Sequence, residues 1–278
     1  MPTKGTRPPR PAAVPGDRPA GLSTDVPGGV SRAVAVPGVV AGLRPLSARS
    51  VVLSLLLGSH PPELPVHALV RIVEPFGVSG ATLRVALTRM VTAGDLRRTG
   101  STYRLSDRLL LRQQRQDAAI APAVRAWGGD WELAVVTATG RGAAERAQLR
   151  ADLAALRLAE LREGVWTRPA NLARPWPGRP ADRVQHWTGR PGPPPAELAA
   201  TLWDLEGWAG DGRALLAAYE EVTAPADRFA IVAAIVRHLL TDPVLPEPLL
   251  PAGWPAAALR DAHAAYRAEL TTLARAAG

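Results

Sequence analysis

Between Ser79 and Thr92 the chain sets two arginines, three threonines and no acid along one side of a helical pattern. At 100° per residue, Leu83, Ala86, Leu87, Met90 and Val91 fall within one arc. Ala81, Thr82, Arg84, Val85, Thr88, Arg89 and Thr92 fall on the other side. A fully solvated face more usually carries Glu and Lys. This set suits a DNA major groove: Arg for guanine or phosphate, Thr for phosphate or base edge, Ala and Val against thymine methyls. A short basic stretch follows, in which Arg97, Arg98, Tyr103 and Arg104 are placed to hold backbone phosphates or reach a minor groove. The expected DNA-contacting set is therefore Ser79, Thr82, Arg84, Val85, Thr88, Arg89, Arg97, Arg98, Tyr103 and Arg104.

These residues need a frame, and the flanking sequence supplies one. Pro45–Leu46–Ser47 opens a helix with Ser47 as N-cap and an apolar stripe of Val51, Val52, Leu55 and Leu56. Gly58 with Pro61–Pro62 ends it. A second helix starts near Pro65 and carries Leu69, Val70, Ile72 and Val73. Phe76–Gly77–Val78 is a tight turn, Ser79 caps the third helix to about Ala93, and Gly94 stops it. Leu96–Arg98 and Thr102–Leu105 read as two strands around Thr99–Gly100–Ser101. Helix, helix, turn, helix, hairpin is the order of a winged helix-turn-helix.

The remainder reads as an α+β segment followed by helices. Residues 117–130 look like a connector, Trp131–Thr137 is a strand, and a helix runs from Ala143 to about Leu156. Gly164–Pro169 is another strand, and residues 170–195, rich in Pro and Arg, read as loops. Helices are expected over 196–206, 212–222, 225–240 and 255–276. Four prolines between Thr241 and Pro251 make that stretch an extended connector. The expected division is a disordered basic tail over 1–44, a winged-helix domain over 45–116, an α+β domain over 117–192 and a helical domain over 193–278.

Charge separates the front of the molecule from the rest. The net charge is +8, of which residues 1–44 hold +4, residues 45–120 hold +5 and residues 121–278 hold −1. One basic end is the asymmetry expected when that end meets a polyanion. Lys4 is the sole lysine among 33 basic residues, a bias that GC-rich codon usage produces unaided. The absence of cysteine excludes disulfides and thiolate nucleophiles. No two histidines stand at metal-ligand helical spacing, and no HExxH, GxSxG or P-loop occurs. No apolar run reaches the roughly 18 residues of a membrane span, and no signal peptide opens the chain, so a cytoplasmic protein is expected. All eight tryptophans lie behind the basic segment, as core or interface anchors, with some able to line a pocket for a flat aromatic group.

Several blocks, taken together, resemble one family. Ser47–Ser50 through Gly58, Phe76–Val78, and Leu83–Met90 with Gly94 are similar to the N-terminal winged-helix domain of the PaaX family. Trp131–Leu133, Leu149–Leu153 and Gly164–Pro169 resemble its central ferredoxin-type domain, related in shape to Cas2 nucleases. Leu202–Leu205 with Tyr219, Asp242–Pro246 and Leu249–Pro255 resemble its C-terminal helical domain. The resemblance covers roughly 45–278 and implies a repressor, associated with phenylacetate catabolism and released by an aryl-acyl-CoA such as phenylacetyl-CoA. Such an effector needs an apolar slot and cations for its phosphates, and Trp166 with Arg168 offers one of each. One reading helix per chain leads to the expectation of a homodimer on a palindromic operator.

Two enzyme readings compete. Gly140–Arg141–Gly142–Ala143–Ala144–Glu145 approximates a dinucleotide fingerprint, but Glu145 at its last position would repel a pyrophosphate. A Cas2-like metal-dependent nuclease needs clustered carboxylates, and Asp130 stands alone beside its strand. The expectation is a regulator rather than an enzyme, without cofactor or metal.

Overall fold

The computed structural model describes residues 47–137, 142–176 and 183–275. The tail of residues 1–44, Pro45–Leu46 and Gly140–Arg141 lie outside the described residues. Helix α1 (Ala48–Gly58) starts at Ser47, whose Oγ accepts from the Ser50 amide at 3.1 Å. A three-residue strand β1 (Glu63–Pro65) leads into α2 (Val66–Val73). The chain then turns through Glu74–Phe76 and Gly77, whose φ of 70° is a left-handed conformation glycine adopts without penalty. Helix α3 (Gly80–Thr92) is capped by Ser79, whose Oγ accepts from Thr82 N at 3.1 Å.

Strands β2 (Leu96–Thr99) and β3 (Thr102–Leu105) form the expected antiparallel hairpin, and β1 joins its far side in the order β1-β3-β2. Three residues flanked by prolines carry no readable strand period, so β1 is invisible to pattern reading. Helix α4 (Asp107–Ile120) reaches into the stretch expected to be a connector. Its inward residues, Leu109, Gln113, Gln116 and Ala119, are half polar, which conceals the amphipathic period. Gln113 is buried because its amide caps α1, donating to Leu57 O (3.1 Å) and Ser59 O (2.8 Å).

The central segment is a four-stranded antiparallel sheet with one helix. Strand β4 (Trp131–Val136) passes through α5 (Ala143–Ala155) to β5 (Ala159–Arg162), which turns back into β6 (Val165–Pro169). The order β5-β6-β4-β7 places β6 between the two strands that α5 connects, a split β-α-β arrangement. Strand β7 (Val184–Gly189) corrects the expectation of loop throughout 170–195. It is an edge strand with Val184 alone buried, so its sequence never alternates apolar and polar. Leu149 and Leu153 of α5 pack on Ala134, Trp166 and Val184. Trp131 joins another cluster with Ala199, Leu205, Leu245 and Leu249.

Four helices follow: α6 (Pro195–Leu202), α7 (Leu205–Glu221), α8 (Pro225–Leu239) and α9 (Ala256–Arg275). The break between the first two falls at Trp203–Asp204, earlier than the sequence pattern suggests. Asp204 restarts the helix by accepting from Gly207 N at 2.9 Å, and three glycines in α7 had hidden that start. Phe229, Val232 and Tyr266 share one core with Val51, Leu56, Leu69 and Leu87, so α8 and α9 close on the N-terminal helices. Phe76 and Phe229 meet with ring centroids 5.0 Å apart.

Gly212 is a buried position at which α7 packs tightly on its neighbours. A Cβ there would lie 2.8 Å from Pro255 Cγ, 3.2 Å from Leu259 Cδ1 and 3.3 Å from His238 Nε2. Gly212→Val is expected to destabilise by about 1–3 kcal/mol through overpacking. Each kcal/mol should appear as a fall in Tm of roughly 2–4 °C for a chain of this size. An unchanged melting curve would show that these helices separate freely.

Candidate nucleic-acid interface

Helix α3 divides as its wheel predicts. Leu83 and Leu87 are fully buried and Met90 nearly so, while Ala81, Thr82, Arg84, Val85, Thr88, Arg89 and Thr92 are exposed. Val85 is 52% exposed in the middle of this face, where an apolar side chain has no packing role. Arg84 and Arg89 pair with no carboxylate among the described residues. The threonine hydroxyls are partly committed: Thr88 and Thr92 donate to Arg84 O (3.0 Å) and Thr88 O (3.1 Å) one turn back. Each keeps lone pairs free to accept. Ser79 is spent on capping, its Oγ also lying 2.9 Å from Thr82 Oγ1.

The hairpin carries the second group of cations. Arg97 and Arg104 stand opposite each other in the register, both exposed, and Glu63 of β1 faces Arg104 from the other side. Arg97 donates to Asp107 at the start of α4, an exposed ion pair that water and salt weaken. Arg98 Nε donates to Gly100 O at 2.8 Å, and its guanidinium lies 5.8 Å above the Tyr103 ring. Tyr103 differs from the expectation: it is only 7% exposed. Strand alternation sends Tyr103 and Leu105 into the core and Arg104 outward, so most of Tyr103 is packed away and its ring supports Arg98.

Asp95, the first acid after α3, organises this corner. The residue is 2% exposed, and its carboxylate accepts from Arg49 Nε (3.1 Å) and Nη2 (2.7 Å) on α1, and from Arg108 on α4. One buried anion thus holds two arginine side chains that remain more than half exposed beside the α3–hairpin corner. Arg49 and Arg108 were absent from the sequence-based set, since the link spans 46 residues on one side and 13 on the other. Their one sequence signal was an acid standing alone just past an acid-free helix.

The residues singled out for an effector lie in the interior. Trp166 is 7% and Arg168 0% exposed. Arg168 donates to Pro169 O (3.0 Å), Asn171 Oδ1 (2.8 Å) and Val244 O (3.1 Å). Burial lowers its pKa to about 9, which leaves it charged at neutral pH. Asn171 Nδ2 also donates to Val244 O at 3.0 Å, and Asp242 Oδ1 accepts from Val244 N at 2.9 Å. Val244 sits at a φ of 51°, a left-handed conformation costly for a β-branched residue, and these bonds hold it there. The block Asp242–Pro246 is therefore clamped to the central sheet, and Arg168 is the clamp.

Features bearing on the enzyme readings are few. Asp130 is exposed and lies 3.4 Å from Arg190 Nε. Among the described residues no three His, Asp or Glu side chains gather where they could hold a metal ion. Among them, too, no helix is long and apolar enough to cross a membrane.

Comparison with known proteins fits this arrangement. Residues 47–109 match the family described as PaaX-like protein, 124–176 the PaaX protein central Cas2-like domain, and 203–277 the PaaX-like protein C-terminal domain. The fold is similar to that of the uncharacterized protein Rv0674 from Mycobacterium tuberculosis, with a TM-score of 0.74 and 50% identity. That match covers 83% of this chain and 98% of the other. No curated protein matches the chain. With its central sheet matched as Cas2-like and its two flanking segments matched beside it, the chain belongs to the PaaX family, a family of transcription regulators.

Proposed function

We propose that this protein is a sequence-specific DNA-binding transcriptional regulator in which α1 to α3 and the β1-β3-β2 sheet form a winged helix-turn-helix. The observation that carries this reading is the exposed face of α3, with Arg84, Val85, Thr88 and Arg89 outward and no acid among them. Arg84 and Arg89 enter the major groove, and Val85 meets thymine methyls. Arg97, Arg98 and Arg104 on the hairpin, with Arg49 and Arg108, grip phosphates. The family supports a repressor released by a small-molecule effector of the aryl-acyl-CoA type, and the single reading helix supports a homodimer on a palindromic site.

Arg97→Ala and Arg98→Ala test the wing. Each should lower the magnitude of the slope of log Kobs against log salt by about 1, at nearly constant sequence preference. A slope that does not move would place the hairpin off the DNA. Sedimentation of the protein on a palindromic duplex should give two chains per duplex, and a single chain that binds an isolated half-site as tightly would remove the dimer from this reading.

A further inference from the structure

A cavity of about 410 Å³ lies where the N-terminal helices meet α8 and α9, away from both α3 and the Arg168 clamp. That volume falls in the range of roughly 300–1,000 Å³ typical of small-molecule sites. Its apolar lining comes from both sides: Leu55 and Ile72 from α1 and α2, Phe229 and Val232 from α8, Tyr266 and Leu270 from α9. Three arginines line it as well, Arg112 on α4, Arg237 on α8 and Arg267 on α9.

The polar groups of this lining are mismatched within the protein. None of the three arginines pairs with a carboxylate among the described residues. Glu63 is the one acid in the lining, and the nearby Asp117 is occupied by His60 at 3.0 Å. Gln116, only 9% exposed, also lines the cavity and makes no side-chain hydrogen bond within the described protein. His263 adds no positive charge, because burial draws its pKa down to about 4. Three cations without a carboxylate partner, Arg267 partly buried and Arg112 and Arg237 exposed at the rim, stand beside an apolar floor with an amide free to bond, a lining that lacks an anion.

We propose that this cavity is a ligand site for an amphipathic organic anion, an aromatic or aliphatic body of metabolite size with a single carboxylate- or sulfonate-type head. The body fills the space between Leu55, Phe229, Val232 and Leu270. The head meets Arg237 and Arg267, and Gln116 donates or accepts alongside. Because the walls belong both to α1, which packs under α3, and to α8 and α9, the occupant bears on how the reading module is held. That consequence rests on the regulator reading; binding itself does not.

The test is a fluorescence titration of the full chain, without DNA, with 8-anilinonaphthalene-1-sulfonate, whose aromatic body and sulfonate match this chemistry. The expected result is saturable, blue-shifted binding of one dye per chain. The uncharged N-phenyl-1-naphthylamine should bind about tenfold more weakly, as the loss of one charge-assisted contact predicts. Arg237→Gln and Arg267→Gln should each weaken the dye by a similar factor, and Ala233→Trp, which fills the cavity, should abolish saturable binding. Thermal melts of each variant guard against misfolding, and the two arginine changes keep the test valid if the tryptophan variant does not fold. Dye binding that never saturates, or that is equal in wild type and both arginine variants, overturns the site. Retained operator binding in a variant that has lost the dye keeps the regulator reading separate from this one.

Discussion

Replacing both Arg84 and Arg89 with alanine is expected to abolish operator binding while the melting temperature stays within a degree or two of wild type. Both guanidiniums are exposed on α3, neither has a carboxylate partner among the described residues, and Leu83, Leu87 and Met90 hold the helix from its other face. The fold therefore loses nothing with them, while the complex loses two contacts. Each is worth about 1–3 kcal/mol, so the pair should cost roughly two to four orders of magnitude in affinity. The single variants should weaken binding about 10- to 100-fold and relax preference at the bases they meet. Electrophoretic mobility shift against an operator and a scrambled duplex measures both effects. Equal affinity of the double variant and wild type would mean that α3 does not read DNA.

Arg168 should give the opposite pattern, a large loss of stability with no direct loss of DNA contact. Arg168→Leu leaves Val244 O, Asn171 Oδ1 and Pro169 O short of a buried donor, and it releases a strained Val244. Breaking such a buried charged network costs about 3–5 kcal/mol. The melting temperature should fall by roughly 10 °C, and the fraction still folded should bind operator as wild type does. Asn171→Ala removes one shared acceptor and one donor and should cost less. A variant at Arg168 that melts like wild type yet no longer responds to phenylacetyl-CoA would reverse this account and return the residue to an effector role.

The N-terminal segment was readable because each of its signals is local. Ser47 and Ser79 cap within three residues, Gly77 turns in place, and the apolar period of α3 separates its two faces without knowledge of any partner. The misread elements lack such signals. β1 has three residues, β7 is an edge strand with one buried side chain, and α4 turns glutamines inward. Tyr103 was assigned by its basic neighbours, although the alternation of β3 already pointed it toward the core. The Asp95 clamp and the Arg168 network were not legible, because their partners stand as far as 46 and 76 residues away. Long-range pairing of that kind is a property of the fold and leaves no periodic trace in sequence.

The most direct measurement is selection of a randomised duplex library by the full chain, followed by anisotropy titration of the enriched duplex against wild type and the Arg84→Ala/Arg89→Ala variant. The expected result is one recurrent motif with dyad symmetry, bound by wild type far more tightly than unselected DNA and by the variant no better than unselected DNA. An enriched pool indistinguishable from its input, or a motif bound equally by both proteins, would contradict it.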